Sequence, residues 1–166
     1  MAIQIGDKFP SATLRRLGAS GMEDVNTADV LAGKKVILFG LPGAYTPPCS
    51  QKHLPGYVKN ADAIKAQGID AIICLSANDP FVMKQWMSEQ DPSGKLQYWP
   101  DGNGTLRDAL GLTLDAAGNG LGQRFQRFVM TIENGIVKSL DVEKVASDVE
   151  LSGADVCLAN LSKKAA

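Results

Sequence analysis

Cysteine and histidine are scarce in this chain, which has three cysteines and one histidine among its 166 residues. Three cysteines are an odd number and too few to staple a fold of this size, which can bury an adequate core without disulfides. With a single histidine, no Cys/His metal cluster is predicted around these three cysteines. Cys49, Cys74 and Cys157 are therefore expected to be thiols with local functions or small buried residues.

Long apolar runs and an excess of charge of one sign are also missing. No stretch approaches the roughly 20 apolar residues that cross a bilayer, and residues 1–8 lack the basic start and apolar core of an export signal. Seventeen Lys and Arg against 18 Asp and Glu give a net charge of -1, which does not favour a nucleic-acid partner. We expect one domain over residues 1–166, soluble and cytoplasmic, without a membrane partner.

Apolar periodicity and turn residues predict alternating strands and helices. Strands are predicted at residues 12–17, 35–40, 70–75 and 97–99, with a hairpin of residues 125–133 and 136–140 around the turn pair Asn134-Gly135. Helices are predicted at residues 27–31, 48–67 with a kink at Pro55-Gly56, 81–87, 105–110 and from Ser152 onward. This order predicts an α/β, thioredoxin-like fold in which helices flank a central mixed sheet and an antiparallel hairpin comes late.

Polar residues mark the predicted helix starts. Asn26 and Asp79 are expected to cap the helices that follow them, with Pro80 at the first helical position after Asp79. Ser152 is expected to cap the last helix. In that helix Ala154, Cys157, Leu158 and Leu161 form an apolar stripe.

Cys49 falls where a buried strand gives way to a helix. A free thiol, with a pKa near 8.5, is only a few per cent ionised at neutral pH, so its surroundings must supply reactivity. Unpaired N–H groups and the positive end of the helix dipole favour an anion at a first helical turn, and a nearby arginine would add to this effect. The junction therefore provides the groups that would make Cys49 a nucleophile.

The loop before Cys49 suggests what is attacked. Thr46 lies three residues before Cys49, and its hydroxyl can both accept and donate a hydrogen bond. Cleavage of a peroxide needs such groups, because charge develops on the leaving oxygen while the thiolate attacks the other oxygen. Pro47 and Pro48 present no N–H, so a backbone donor must come from Cys49 or a later residue.

The extended segment PGAYTPPCS (residues 42–50), followed by HLPG (residues 53–56), carries the P-x-x-x-T-x-x-C pattern. It resembles the active-site motif of the peroxiredoxins, and within them the type II or peroxiredoxin-5-like subfamily of the thioredoxin-like redoxins. CLSANDPFV (residues 74–82) and RFVM (residues 127–130) extend the resemblance over nearly the whole chain. Pro48 departs from the pattern, since relatives mostly carry a small or polar residue there, and it predicts a stiffer loop.

The resemblance implies a thiol-dependent peroxidase without metal, haem, flavin or other cofactor. Cys49 would be the peroxidatic cysteine, which reduces hydrogen peroxide or an alkyl hydroperoxide and becomes a sulfenic acid. Thr46 would bind the peroxide, Arg127 would activate the thiolate and the peroxide, and Pro42 would shield the site. Arg124 is the rival for the role of Arg127, whose position directly before Phe128 matches the family.

The remaining reactive side chains keep two interpretations each. His53 lies four residues after Cys49, where it could assist the thiolate or only satisfy a backbone group, and the second role is favoured. Cys74 could be core filler or the resolving cysteine, as is proposed for some type II relatives. Cys157 could resolve as well, but its place on an apolar helical stripe favours packing.

The resemblance also implies partners. Type II relatives are commonly reduced by glutaredoxin with glutathione or by thioredoxin, and they suggest a homodimer with Tyr45, Pro80 and Phe81 as contacts. A second interpretation keeps the same thiolate but makes the chain a peroxide-sensing relay that passes oxidation to a partner protein. A thiol-disulfide oxidoreductase is disfavoured because no C-x-x-C pair is present.

Overall fold

The computed structural model describes residues 1–165, which form nine strands and five α-helices. The strands are β1 (Thr13–Gly18), β2 (Gly21–Asn26), β3 (Lys35–Gly40), β4 (Ala71–Ser76), β5 (Gln97–Pro100), β6 (Thr113–Asp115), β7 (Gln123–Phe125), β8 (Phe128–Glu133) and β9 (Ile136–Val142). The helices are α1 (Thr27–Leu31), α2 (Leu54–Lys65), α3 (Pro80–Gln90), α4 (Thr105–Leu110) and α5 (Ala154–Ala165). Within residues 1–165 no helix has the length and apolar character needed to span a bilayer.

A five-stranded mixed sheet of order β5-β4-β3-β8-β9 forms the centre of the fold. Strand β4 runs parallel to its neighbours β3 and β5, whereas β8 is antiparallel to both β3 and β9. Two smaller antiparallel pairs, β1 with β2 and β6 with β7, lie outside this sheet. The predicted mixed sheet flanked by helices, with its late hairpin, is confirmed.

Strand β3 is buried on both faces, which explains why its sequence is a continuous apolar run. Ile37 and Phe39 pack with the residues of α2, α3 and α5 on one face. Val36 and Leu38, which alternate with them, pack against the opposite core, which contains residues of β1, α1 and α4. Cys49, Cys74 and Cys157 all belong to the first of these two cores.

The prediction of one strand over residues 125–133 is wrong. Phe125 ends β7, where it pairs with Thr113, and β8 begins only at Phe128. The chain changes sheets between these residues, so Arg127 lies in the connection instead of on a strand. Phe128 is buried in the core opposite the cysteines, while the guanidinium of Arg127 reaches the cysteine side.

The predicted long helix over residues 48–67 is divided. Cys49–His53 form a π-helical turn in which the N–H of Leu54 bonds to the carbonyl of Cys49, five residues earlier. The regular helix α2 follows, with Pro55 in its first turn. Pro55 has no N–H and therefore donates no backbone hydrogen bond to the preceding turn. The irregularity therefore lies ahead of Pro55-Gly56 and not at the predicted kink.

The expected caps are found at two helices and not at the third. The side chains of Asn26 and Asp79 each accept two backbone N–H groups at the starts of α1 and α3. Ser152 does not cap α5, which begins two residues later at Ala154. Its hydroxyl instead donates to the buried carboxylate of Glu143 at 2.8 Å. Since α5 begins at Ala154, Gly153 directly precedes the helix and Ser152 lies one residue before the capping position.

Candidate functional site

The loop after β3 and the first helical turn place Cys49 in the interior. Its side chain is fully buried. The turn begins with a hydrogen bond from the Ser50 N–H to the Thr46 carbonyl at 3.0 Å. The indole N–H of Trp86 on α3 donates to the Ser50 hydroxyl at 3.1 Å and ties this turn to the neighbouring helix.

Two prolines set the backbone donors at this turn. Pro48 adopts helical angles, φ -63 and ψ -33, so it fits the first turn without strain. Neither Pro47 nor Pro48 has an N–H, and that of Ser50 is already used. Within residues 1–165 no acceptor takes the N–H of Cys49. This N–H is thus the backbone donor available at the sulfur, as the sequence predicts.

Arg127 is the arginine whose guanidinium contacts the sulfur of Cys49. Nη2 donates to Sγ at 3.1 Å, Nη1 lies 2.8 Å from Nδ1 of His53, and Nε donates to the carbonyl of Ala146 at 3.0 Å. The side chain is 1% exposed, and within residues 1–165 no carboxylate forms an ion pair with it. Its charge is therefore available to a thiolate at Cys49.

His53 holds this guanidinium as a neutral ring. Since arginine can only donate, Nδ1 is the acceptor and Nε2 carries the proton, which it donates to the Ser152 carbonyl at 3.2 Å. The Tyr57 hydroxyl donates to the same carbonyl at 2.6 Å. Burial, and then the charge of Arg127, lower the pKa of His53 to about 3, and the bond to Ser152 only partly opposes them. His53 is thus a positioning residue for Arg127, more than the backbone partner that the sequence favours.

This neutral ring makes the stability of the protein depend on pH. A histidine that ionises near 6.5 when unfolded and near 3 when folded stabilises the native state above pH 6.5 and loses this contribution as the pH falls. We expect the free energy of unfolding to fall by about 2 kcal/mol between pH 8 and pH 5. Urea titrations at both pH values measure the change.

The matched variant for this expectation is His53→Gln, whose amide can accept from Arg127 and donate to Ser152 but cannot ionise. Because His53 is the only histidine of the chain, the pH dependence in this window should largely disappear in the variant. An equal loss of stability in both proteins would show that another group causes it.

Thr46 is oriented by its own loop. Its hydroxyl donates to the Gly43 carbonyl at 2.7 Å, so its lone pairs are left to accept a hydrogen bond from a ligand. The side chain of Asn78 accepts from the N–H of Ala44 at 2.9 Å and from the Ser76 hydroxyl at 2.6 Å. These contacts fix the loop against the end of β4.

Arg124, the alternative arginine, holds the other side of this loop. Its Nε donates to the Leu121 carbonyl at 2.7 Å and its Nη1 to the carbonyl of the buried Pro42 at 3.3 Å. A Cβ at Gly43 would lie 2.8 Å from that Nη1, so the guanidinium would have to shift if a side chain were present there. Arg124 therefore supports the backbone beside Pro42, and the contact with the sulfur is made by Arg127.

The other two thiols lie in the same core but in different surroundings. Burial, and then the charge of Cys49, raise the pKa of Cys74 well above its ordinary value. Burial raises the pKa of Cys157 to about 11, and the neighbouring Tyr57 hydroxyl partly opposes this shift. The charge of Cys49 thus affects the pKa of Cys74, whereas Tyr57 affects the pKa of Cys157. Within residues 1–165 no three His, Cys, Asp or Glu side chains are grouped to hold a metal ion.

Glu143 and Ser152 belong to this network but were not identified as site residues from the sequence. Ser152 acts through its backbone carbonyl, and Glu143 acts through its contacts with residues 151 and 152. Neither kind of contact produces a recognisable sequence pattern. The pair His53 and Tyr57, spaced four residues apart on the segment after Cys49, is the signal that could have pointed to a shared acceptor. The acceptor is the carbonyl of residue 152, and only the folded structure shows that this residue packs against the helix.

Comparison with known proteins identifies this arrangement. The Redoxin family profile matches residues 4–158. The chain is 40% identical over 157 residues to Peroxiredoxin-2C of Oryza sativa subsp. japonica, covering 94% of this chain and 96% of that protein. The crystal structure of reduced Prx3 in complex with H2O2 from Vibrio vulnificus is 45% identical with a TM-score of 0.89, covering 96% of this chain and 99% of that one. Peroxiredoxin 5 from Alvinella pompejana is 30% identical with a TM-score of 0.84, covering 97% and 99%. This chain therefore belongs to the redoxin family and, within it, to the peroxiredoxins, which are thiol-dependent peroxidases.

Proposed function

We propose that Cys49 is the peroxidatic cysteine and that it reduces hydrogen peroxide and alkyl hydroperoxides. The observation that carries the proposal is the hydrogen bond of 3.1 Å from Arg127 to Cys49 Sγ, because this cation favours the thiolate over the thiol. Burial of both groups strengthens their attraction by excluding water. Of the three thiols within residues 1–165, Cys49 alone accepts a hydrogen bond from a guanidinium.

The reaction follows from the donors around the sulfur. The thiolate of Cys49 attacks one peroxide oxygen, the O–O bond breaks, and the other oxygen leaves with the bonding pair and takes up a proton as water or an alcohol. The sulfur becomes a sulfenic acid. The Cys49 N–H and the guanidinium of Arg127 stabilise the developing charge, while the Thr46 hydroxyl accepts from the peroxide O–H. We assign the shielding of the sulfur from bulk water to the buried Pro42.

An external thiol returns the sulfenic acid to the thiol. Its sulfur forms a mixed disulfide with Cys49 and releases water, and a second thiol then exchanges with that disulfide. Glutaredoxin with glutathione and thioredoxin are the candidate donors. Since Cys49 is fully buried, the turn that carries it must open for either donor, and that opening breaks the bond from Trp86 to Ser50.

We propose that Cys74 condenses with oxidised Cys49 when no donor is present. Both side chains lie in one core, and the charge of Cys49 contributes to the raised pKa of Cys74. The pKa of Cys157, by contrast, is raised by burial and by the charge of Asp141, with no contribution from Cys49. A resolving role for Cys157 therefore has less support.

One equivalent of hydrogen peroxide tests the proposal when intact and peptide masses are measured without a thiol donor. We expect oxidation at Cys49 followed by a disulfide to Cys74, and in Cys74→Ser a persistent sulfenic acid that dimedone traps on Cys49. Cys157→Ser is the matched control and should behave as the wild type. Oxidation that spares Cys49 would refute the peroxidatic assignment, and a link from Cys49 to Cys157 would refute that of Cys74.

The homodimer implied by the family resemblance finds support in two exposed aromatic side chains. Phe81 is 63% exposed at the start of α3, next to Pro80. Tyr45 is 52% exposed and adopts φ 64, a left-handed conformation that presents its ring beside Trp86 at 6.4 Å between ring centroids. We propose that this aromatic patch, Tyr45 with Pro80 and Phe81, packs against a second copy of the chain.

Phe81→Ser should weaken that dimer by about tenfold or more, because central aromatic contacts dominate interfaces of this kind. Sedimentation equilibrium over a range of concentrations measures the dissociation constant. Ile5→Ser, at a residue that is 64% exposed outside the patch, is the matched control and should leave the constant unchanged. A monomeric wild type, or equal constants for both variants, would contradict the proposed interface.

A further inference from the structure

Residues 143–152, which lie between β9 and α5, contact Arg127 and form neither a helix nor a strand. This segment provides the Ala146 carbonyl, which accepts from Nε of Arg127, and the Ser152 carbonyl, which fixes His53. The N–H of Glu143 also donates to the backbone carbonyl of Arg127 at 2.8 Å. The position of the guanidinium therefore depends on the conformation of this irregular segment, named here the arginine loop.

The arginine loop is closed at its base by a buried carboxylate. Glu143 is 8% exposed, and its Oε1 accepts from the N–H of Leu151 at 2.7 Å, the N–H of Ser152 at 2.7 Å and the Ser152 hydroxyl at 2.8 Å. These bonds join the first residue of the loop to its last two. Three donors to one charged oxygen form a strong closure, because bonds to an ionised acceptor are stronger than those between neutral groups.

The same carboxylate is kept away from the guanidinium it helps to place. Within residues 1–165, Glu143 forms no ion pair with any cation inside 4.0 Å, and its charge is compensated by N–H and O–H groups instead. Arg127 is held by an uncharged carbonyl and an uncharged imidazole. A carboxylate in direct contact with Arg127 would neutralise the charge that a thiolate needs.

We infer that Glu143 is a positioning residue for the peroxidase reaction. It touches neither peroxide nor sulfur, and it acts by closing the arginine loop so that the Ala146 and Ser152 carbonyls hold Arg127 and His53 in place. This role rests on the function proposed above for Cys49. A displacement of a reacting or stabilising group by about 1 Å can cost about 100-fold in rate, so an open loop should be visible in turnover.

The experiment compares Glu143→Ala, Glu143→Gln and Glu150→Ala, the last an exposed carboxylate in the same loop. We expect kcat/KM for peroxide to fall by about 10- to 100-fold in Glu143→Ala. In Glu143→Gln, whose Oε1 can keep the same bonds, it should stay within about threefold, and Glu150→Ala should match the wild type. Alkylation of Cys49 by iodoacetamide, located by peptide mass, should be slowed in Glu143→Ala at pH 7 and recover at alkaline pH.

Amide hydrogen exchange at Leu151 and Ser152 reports the loop itself and should be faster in Glu143→Ala, while near-ultraviolet circular dichroism checks the fold. If Glu143→Ala does not fold, Ser152→Ala supplies the test, since it removes only one of the three bonds and should give a smaller loss of rate with the same pH recovery. A wild type without peroxidase activity would refute the function itself. An active wild type with Glu143→Ala equal to Glu150→Ala, or Glu143→Gln as slow as Glu143→Ala, would overturn the positioning role.

Discussion

Cys49→Ser is expected to reduce peroxide consumption to the uncatalysed rate, a loss of about 10,000-fold or more. A serine hydroxyl does not ionise at neutral pH, so the hydrogen bond from Arg127 would no longer meet an anionic nucleophile. The fold should survive, because serine is slightly smaller than cysteine and its hydroxyl can accept the same hydrogen bond. Consumption of hydrogen peroxide in the presence of glutaredoxin with glutathione, or of thioredoxin, measures the effect.

Two matched variants separate this effect from the loss of any buried thiol. Cys74→Ser and Cys157→Ser also place a hydroxyl in the same core, yet both should keep rapid reduction of the first equivalent of peroxide. Neither sulfur contacts a guanidinium within residues 1–165, and burial raises the pKa of both. First-turnover kinetics that fall equally in all three variants would contradict a unique role for Cys49.

Much of the fold could be predicted from sequence because its central elements are defined by local patterns. The apolar run of β3 and the caps at Asn26 and Asp79 each depend on residues within a few positions of one another. The break between β7 and β8 could not be read in this way. Phe125 and Phe128 are both buried, and only the pairing of Phe125 with Thr113 in a separate hairpin shows that the chain changes sheets between them.

The same distinction applies to the site. Cys49, Thr46 and Pro42 lie in one continuous motif, and Arg127 follows from its place before Phe128 in a second motif. The second layer of contacts escaped prediction because it uses backbone carbonyls. Any residue at position 146 could offer its carbonyl to Arg127, so the residue type at this position does not indicate the contact. For Ser152 the sequence pattern led to a wrong prediction, since a serine before a helix indicates a cap.

Arg127→Met should lower kcat/KM for peroxide by about 100- to 1,000-fold, the cost of removing a preorganised donor from a buried transition state. Methionine keeps much of the buried volume but leaves Cys49, His53 and the Ala146 carbonyl without their shared donor. The thiolate would lose its adjacent cation, and the leaving oxygen one source of stabilisation. Stopped-flow reduction of one equivalent of peroxide measures the chemical step apart from the recycling by thiols.

Arg127→Lys separates the charge of this residue from its geometry. A lysine ammonium keeps the cation but lacks the planar fork that lets one guanidinium reach Cys49 and His53 together. We therefore expect a rate between those of the wild type and Arg127→Met. Equal rates for Lys and Met would show that the geometry of the fork, and not its charge, carries the effect, whereas wild-type rates in both would refute the role of Arg127.

The pKa of His53 is a second property by which these variants can be compared, and it is measured independently of peroxide turnover. The positive charge of Arg127 is, after burial, the second cause of the low pKa of His53. Removing that charge in Arg127→Met should move the pKa upward from about 3, while Arg127→Lys should keep most of the shift. NMR of the only imidazole in the chain follows this directly. A fall in rate together with a rise in this pKa would show that one guanidinium serves both the sulfur of Cys49 and the ring of His53, because the two effects then disappear with the same side chain.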